Sequence, residues 1–255
     1  MTEPPTHLMD ASYGGMYGDM SARHWWWRAR EHNLGRTLRS CRTWGPGRAK
    51  ILDVGCADGL NWRTLEREGT VEGIEPDASL IAPGSPHRPR IEVTDFLTGR
   101  PRKADHDLLV MLDVLEHIED EQAALARVRR LLAPRGRFVL TVPALPALWS
   151  EFDTLSGHFR RYTRASLHTA LHGAGLRVLD VRYCSVWTVP PLFARRWFFR
   201  AAHTENSSFV QPPPRPLNRL LFEVSRAEHA LTRTVRAPVG SSLLAIAALP
   251  HDGTT

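Results

Sequence analysis

Lysine is nearly missing from this chain. Of its 33 cationic residues only Lys50 and Lys103 are lysines, so 33 − 2 = 31 are arginine. Two readings are open: coding bias, or anion binding through guanidinium forks. With 33 − 27 = +6 the net charge is modest and argues only weakly about partners. Long apolar runs are also missing. The best, residues 108–112 and 243–249, fall far short of the roughly 20 residues a membrane span needs. The N-terminal Met1-Thr2-Glu3-Pro4-Pro5 has no basic-then-apolar leader pattern, so a cytoplasmic protein is expected. Cysteine is scarce: Cys41, Cys56 and Cys184 are odd in number and widely spaced, which excludes a disulfide framework and a Cys-x-x-Cys pair. His-Glu-x-x-His is absent as well, so no metal is expected.

What is present is globular. The 255 residues are 42% hydrophobic and 24% charged, enough for one large domain, or one domain with an appendage, and a proper core. Residues 51–54, 71–75, 90–93, 107–112, 137–142, 176–183 and 241–249 read as strands. Residues 24–42, 60–68, 119–132, 166–173 and 217–234 read as helices, with a short helical piece after Pro76-Asp77. Strands alternating with helices give βαβ units and a parallel sheet, whose ligand-binding loops lie at the carboxyl ends of the strands. Residues 1–22 lack apolar pattern and read as a loosely held arm. Residues 185–216 break the rhythm with prolines and aromatics, and 185–235 read as an insertion before the last strand.

The sharpest motif is Asp53-Val54-Gly55-Cys56-Ala57-Asp58-Gly59, directly after a strand and opening a helix. Glycines let a backbone approach a ligand closely, and a helix N-terminus offers free N–H groups. Glu75 follows 75 − 53 = 22 residues later at the next strand end, the spacing at which an acid meets ribose hydroxyls. Asp95-Phe96 ends the third strand, suited to an adenine amine and ring face. A dinucleotide fingerprint does not fit, because Gly55 and Gly59 lack the Gly-x-Gly-x-x-Gly spacing.

On these residues the chain resembles the class I S-adenosylmethionine-dependent methyltransferases. Asp53-x-Gly55-x-x-x-Gly59 is similar to their glycine motif, although Ala57 stands where many members have glycine. Glu75 matches the ribose-binding acid, Asp95 the adenine-binding residue, and Asp113-Val114-Leu115-Glu116-His117 a segment lining the methionine side. His24-Trp25-Trp26-Trp27 with Arg30 resembles a cofactor-covering helix of a bacterial small-molecule subgroup. Gly157-His158-Phe159-Arg160-Arg161-Tyr162 and Pro216-Leu217-Asn218 are similar to the same subgroup.

The resemblance implies a Rossmann-like, doubly wound α/β fold with seven mostly parallel strands and an antiparallel last one. It implies an arm and covering helix at 1–47, a core at 48–184 plus 236–250, and an insertion at 185–235 acting as substrate lid or interface. S-adenosylmethionine is the implied cofactor. Its implied contacts are Trp26, Arg30, Asp53, Gly55, Cys56, Ala57, Gly59, Glu75, Pro76, Asp95, Phe96, Asp113, Val114 and Leu115.

In-line methyl transfer asks the protein mainly for position, with a base only if the acceptor must lose a proton. His158, His117 and Tyr162 are candidate catalytic residues, the histidines because they titrate near neutrality. Both also have bracing or capping readings. Arg160 and Arg161, with Trp149, are candidate substrate contacts: the arginines either clamp an anion or pair with Glu151 or Asp153. A small-molecule acceptor is expected. The alternatives are an RNA or protein methyltransferase, or a non-catalytic partner protein. Nucleic acid is not expected, since no basic run, RNA-binding appendage or Asn-Pro-Pro-Tyr-type motif occurs. Residues 193–200 mix aromatics and arginine, either as a membrane-surface contact or as a buried lid. Oligomeric state is left open.

Overall fold

The computed structural model describes residues 23–100, 102–198 and 212–250. The expected arm at 1–22 and the end of the 193–200 stretch lie outside them. Seven strands form one sheet: β1 (Ala49–Val54), β2 (Gly69–Glu75), β3 (Ile91–Val93), β4 (His106–Leu112), β5 (Leu132–Pro143), β6 (Arg177–Cys184) and β7 (Ser242–Ala248). Their order is β3-β2-β1-β4-β5-β7-β6. β1 to β5 are mutually parallel, and β7 runs antiparallel to both β5 and β6. This is the expected doubly wound architecture with its one reversed strand.

Two core layers follow from the period of two along each strand. On β4, Leu109 and Met111 point to one face, and Leu108 and Val110 to the other. The first face is covered by α3 (Glu121–Leu131) through Ala124, Leu125 and Val128, and by α5 (Arg164–Gly173) through Leu167 and Leu171. The second is covered by α1 (Trp25–Cys41) through Leu34 and Leu38, and by α2 (Trp62–Leu65). A short α4 (Glu151–Leu155) follows β5, and α6 (Val189–Phe198) and α7 (Arg215–Thr232) follow β6. Among the described residues no helix is long and apolar enough to cross a membrane.

Local chemistry sets the boundaries. His24 caps α1, its Nδ1 accepting from the Trp26 N–H at 3.1 Å. Asp120 caps α3 through the Ala123 N–H at 2.9 Å, and Thr163 and Ser166 form a reciprocal cap on α5. The helix expected over 60–68 is only one turn long. β2 starts two residues early because Ala49 donates to the Glu68 carbonyl and Gly69 lies against the Ala49 backbone, where a Cβ would sit 1.9 Å from its carbonyl oxygen. β5 starts at Leu132 rather than 137, with an irregular register opposite His106.

The N-terminal end of α1 is fixed from far along the chain. Asn218 on α7 accepts from the Trp25 N–H at 2.8 Å and donates to the Arg23 carbonyl at 2.8 Å. Trp25 packs on Trp187, ring centroids 5.1 Å apart. Replacing Asn218→Ala removes both bonds, at a cost of about 1–2 kcal/mol. Thermal unfolding should fall by roughly 2–6 °C, with faster proteolytic cleavage near Trp25. An unchanged Tm and cleavage pattern would show that α7 does not hold this end of α1.

Candidate functional site

Strand order reverses between β1 and β4, so the crevice beyond their carboxyl ends is where a ligand fits an open α/β sheet. The loop after β1 turns left-handed three times, at Gly55 (φ 69°), Ala57 (φ 47°) and Gly59 (φ 77°). At Gly55 a side chain has no room: its Cβ would lie 2.4 Å from a methyl of Val114, on the loop after β4. Ala57 takes the left-handed position despite its Cβ, at a strain of roughly 1 kcal/mol. Glu75 holds it there, its Oε2 accepting from the Ala57 N–H at 2.8 Å and its Oε1 from the Asp77 N–H at 3.0 Å. Burial pushes the Glu75 carboxyl upward, and the two N–H donors oppose that.

Asp53 does not open onto the crevice. It is buried beneath the loop, where it accepts from the Trp62 indole N–H at 3.0 Å. Burial pushes its carboxyl up to about 7, against the pull of that hydrogen bond and with Glu75 adding to the rise. Cys56 is buried too, and its thiol is pushed up by burial. Two neighbouring carboxylates remain unsatisfied: Asp58 Oδ1 and Asp77 Oδ2 are buried atoms with no hydrogen-bond partner.

Asp95 is exposed and accepts from the Leu97 and Thr98 N–H groups at 2.8 and 3.1 Å. Phe96 is corrected to a core residue. Its ring is 3% exposed and carries the Arg127 guanidinium 5.3 Å from its centroid, because the apolar ring packs inward where the chain turns. The Leu115 side chain is wholly core, which leaves only its backbone for a contact in the crevice. Pro76 is exposed beside Glu75, and Val114 is half-buried against Gly55.

The helix α1 reaches this edge through Arg30. Its guanidinium pairs with Asp113, at the end of β4, and donates to Thr141 Oγ1 at 3.1 Å. Thr141, at the end of β5, donates to Asp113 Oδ1 at 3.0 Å. Trp26 flanks the group, with Arg30 5.8 Å from its ring centroid. Thr141 was not legible in the sequence, where it is one polar residue in an apolar strand.

Across the crevice, His117 and His158 meet edge to face, centroids 4.6 Å apart at 83°. His158 Nδ1 lies 2.9 Å from Asp153 Oδ1, and Asp153 is fully buried. Burial alone would raise the Asp153 carboxyl, but hydrogen bonds from His158 and Arg161 and the Arg161 charge hold it well below the usual carboxylate range. His117 is pushed down to about 4, by burial first and then by His158, with Asp113 and a Ser156 backbone hydrogen bond opposing. Glu116 is fully buried and neither of its carboxylate oxygens has a partner. Burial, and Asp113 beside it, push its carboxyl well up. Among the described residues, Glu116, His117 and His158 are the group that could hold a metal ion.

Tyr162 and Arg160 are corrected as catalytic and substrate residues, and for Arg161 it is the other expected reading, pairing with Asp153, that the structure bears out. Tyr162 is buried and donates to Glu121 Oε2 at 2.7 Å; burial and that carboxylate push its hydroxyl up, so it braces the core. Arg160 donates to the Ile118 and Glu119 carbonyls, each at 2.6 Å. Arg161 donates to Asp153 at 2.7 Å and the Ala144 carbonyl at 3.0 Å. Neither arginine is open to clamp an anion, because the loop uses both internally. Trp149 donates to Thr154 Oγ1 at 3.3 Å. Asp153 is the residue the sequence undervalued. Its signal was the Ser150-x-x-Asp153 capping box.

A family model described as a methyltransferase domain matches residues 24–181. A ubiquinone biosynthesis O-methyltransferase of Rhodopseudomonas palustris (strain HaA2) is 30% identical over 152 residues, covering 51% of this chain and 59% of that one. Another, from strain TIE-1, is matched over 42% of its length; the chain thus spans about half the length of these curated relatives. A chain from the Haloferax volcanii complex with the Trm112 methyltransferase activator is similar with TM-score 0.62 at 17% identity, covering 98% of this chain and 100% of that one. Geranyl diphosphate C-methyltransferase from Streptomyces coelicolor is similar with TM-score 0.57 at 15% identity, over 86% and 81%. At such identities the solved structures show the fold alone.

The Asp53 carboxyl gives a pH test. Its folded value, about 7, lies above its ordinary value of 3.8. The stability it contributes is therefore complete below about pH 4 and is lost as pH rises through 7. Asp53→Asn keeps an acceptor for Trp62 and removes that loss. Its Tm should exceed that of the parent protein at pH 8 by about 3–10 °C, or roughly 1–3 kcal/mol, and match it at pH 4. Equal melting at both pH values would show that Asp53 is not a buried, strained acid.

Proposed function

The chain belongs to the class I S-adenosylmethionine-dependent methyltransferases, and from that premise we propose that it methylates an oxygen of a small-molecule acceptor. The observation that carries the choice of oxygen is His117, kept neutral by burial, beside the His158–Asp153 pair, where it can meet a proton-bearing acceptor group. The O-methyltransferase relatives support the same reading over the half of their length that is matched.

The cofactor is S-adenosylmethionine, and the crevice fits it on its own terms. The buried, unpartnered Asp58 Oδ1 and Asp77 Oδ2 need donors, and the cofactor's ammonium and ribose hydroxyls are donors. At Gly55 and Gly59 the left-handed backbone carries no side chain of its own, which suits close approach of a ligand. When bound, the cofactor supplies a sulfonium-activated methyl group, so the chain's own residues have positioning to do. In this reading Glu75 takes the ribose side and Asp95 the adenine side. Arg30, Trp26 and Asp113 close the methionine side, and Gly55, Cys56, Ala57 and Gly59 supply backbone. Asp53 sets the loop from below. Within the expected cover at 1–47 it is α1 that takes that place, and within 185–235 α6 and α7 form an acceptor-side lid. His117 and His158 face the acceptor.

Calorimetric titration with S-adenosylhomocysteine, with NAD as control, tests the cofactor half. Micromolar binding and no NAD response are expected, with Glu75→Gln at least tenfold weaker and melting normally. Transfer of labelled methyl from S-adenosylmethionine to phenolic or other hydroxylated small molecules tests the acceptor half. Labelling of RNA or protein but of no small molecule would overturn it, as would a folded protein that ignores S-adenosylhomocysteine.

A further inference from the structure

We propose that Glu116, His117 and His158 form a binding site for one first-row divalent transition-metal ion, with Asp153 as the residue that positions His158. The site comes together only in space. Glu116 and His117 lie in a turn after β4, and His158 follows 158 − 117 = 41 residues later on the loop after α4. The two segments are joined by the Phe159 N–H donating to the Glu116 carbonyl at 2.8 Å. That backbone bond fixes the third ligand relative to the first two.

Glu116 is the strongest pointer. Its side chain is 0% exposed and both carboxylate oxygens lack a partner. Buried charges in proteins are paired or coordinate metals. One ligand atom from each of the three residues lies within 4.8 Å of the others. Ligands about 2.0–2.2 Å from one tetrahedral ion lie roughly 3.3–3.6 Å apart, so the three side chains close by up to about an ångström to seat the ion.

His158 is already set up for this role. Asp153 is an acceptor, holding the His158 Nδ1 at 2.9 Å while taking Arg161 Nε at 2.7 Å and the Ser150 N–H at 2.8 Å. The proton is thereby placed on Nδ1 and the lone pair on Nε2. A carboxylate behind the histidine is the usual support of a metal-binding imidazole. Asp113 and Asp153 are already paired with Arg30 and Arg161, so the unpartnered Glu116 carboxyl is the group left for an incoming cation, which would displace its proton. Two imidazoles and one carboxylate suit zinc, manganese, iron or cobalt, whereas magnesium and calcium prefer all-oxygen ligands.

Three protein ligands leave a coordination position open. The ion's role there rests on the methyl-transfer reading above. An acceptor hydroxyl bound at the open position loses its proton to water more readily. Its oxygen then bonds to the methyl carbon as the carbon–sulfur bond breaks.

The test is calorimetric titration of the full chain, freed of metal by chelation, with Zn²⁺, and visible spectroscopy with Co²⁺. One ion per chain is expected, with d–d bands for Co²⁺ and no heat from Mg²⁺. Asp153→Asn should bind 10- to 100-fold more weakly, and Glu116→Gln and His158→Gln should lose the site. His158→Gln, at the loop, keeps the experiment decisive if the buried Glu116→Gln does not fold. Absence of Zn²⁺ binding, or binding unchanged in His158→Gln, would overturn the proposal; the second result would place the ion elsewhere, as on the stacked His168 and His172. S-adenosylhomocysteine titrated into the same samples separates the two readings. Zn²⁺ bound without it leaves the metal site standing and removes the methyl-transfer role.

Discussion

Arg30 reaches from α1 to Asp113 and Thr141, and this knot ties the helix to the ends of the two paired strands β4 and β5. Asp113 adopts a left-handed backbone (φ 59°) as the chain leaves β4, and its N–H donates to the Thr141 carbonyl at 2.9 Å. The two strand ends are thus stitched by backbone and side chain together. An ion pair this close to the sheet edge orders a helix that has few other polar anchors there. Without it α1 would cover the sheet face as a packed helix but would have no fixed relation to the loops after β4 and β5.

Strain collects at the same edge. Among the described residues, the non-glycine positions with positive φ are Ala57, Asp113, Leu145 and Ser185. They follow β1, β4, β5 and β6, whose carboxyl ends share one side of the sheet. Each costs of order 1 kcal/mol or more and survives only where its surroundings over-determine it. Here they do: Glu75 holds Ala57, Thr141 holds Asp113, and the Leu145 N–H donates to the Tyr162 carbonyl at 2.9 Å. The internal engagement of Arg160, Arg161 and Tyr162 serves the same end, keeping the loop after β5 rigid beside the two histidines.

The strands and the main crevice were legible because they depend on local pattern. Apolar runs marked the strands, and Gly55, Gly59, Glu75 and Asp95 stood at successive strand ends. What escaped depends on contacts across the fold. That Trp62 would turn back to hold Asp53, making an apparent ligand a buried anchor, is not coded by spacing. Phe96 beside an acid looks like a ring face for a ligand, and only packing shows it turned inward. Glu116 reads as half of an ordinary Glu-His pair until Phe159 brings His158 against it. The helix α2 shrank because Gly69 had to lie on the Ala49 backbone, a demand of β2 and not of the helix sequence.

The last strand of the chain, β7, lies between β5 and β6 and pairs with each. While the protein is being synthesised, those two strands emerge well before the residues that separate them. Until 242–248 leave the ribosome, β5 and β6 each present an unpaired edge, the arrangement most open to pairing with other chains. The helix α1 waits as well, because its Asn218 anchor lies 193 residues after Trp25. The helix α1 is therefore among the last elements fixed in place, and a chain stopped short of β7 has neither a closed sheet nor a finished crevice.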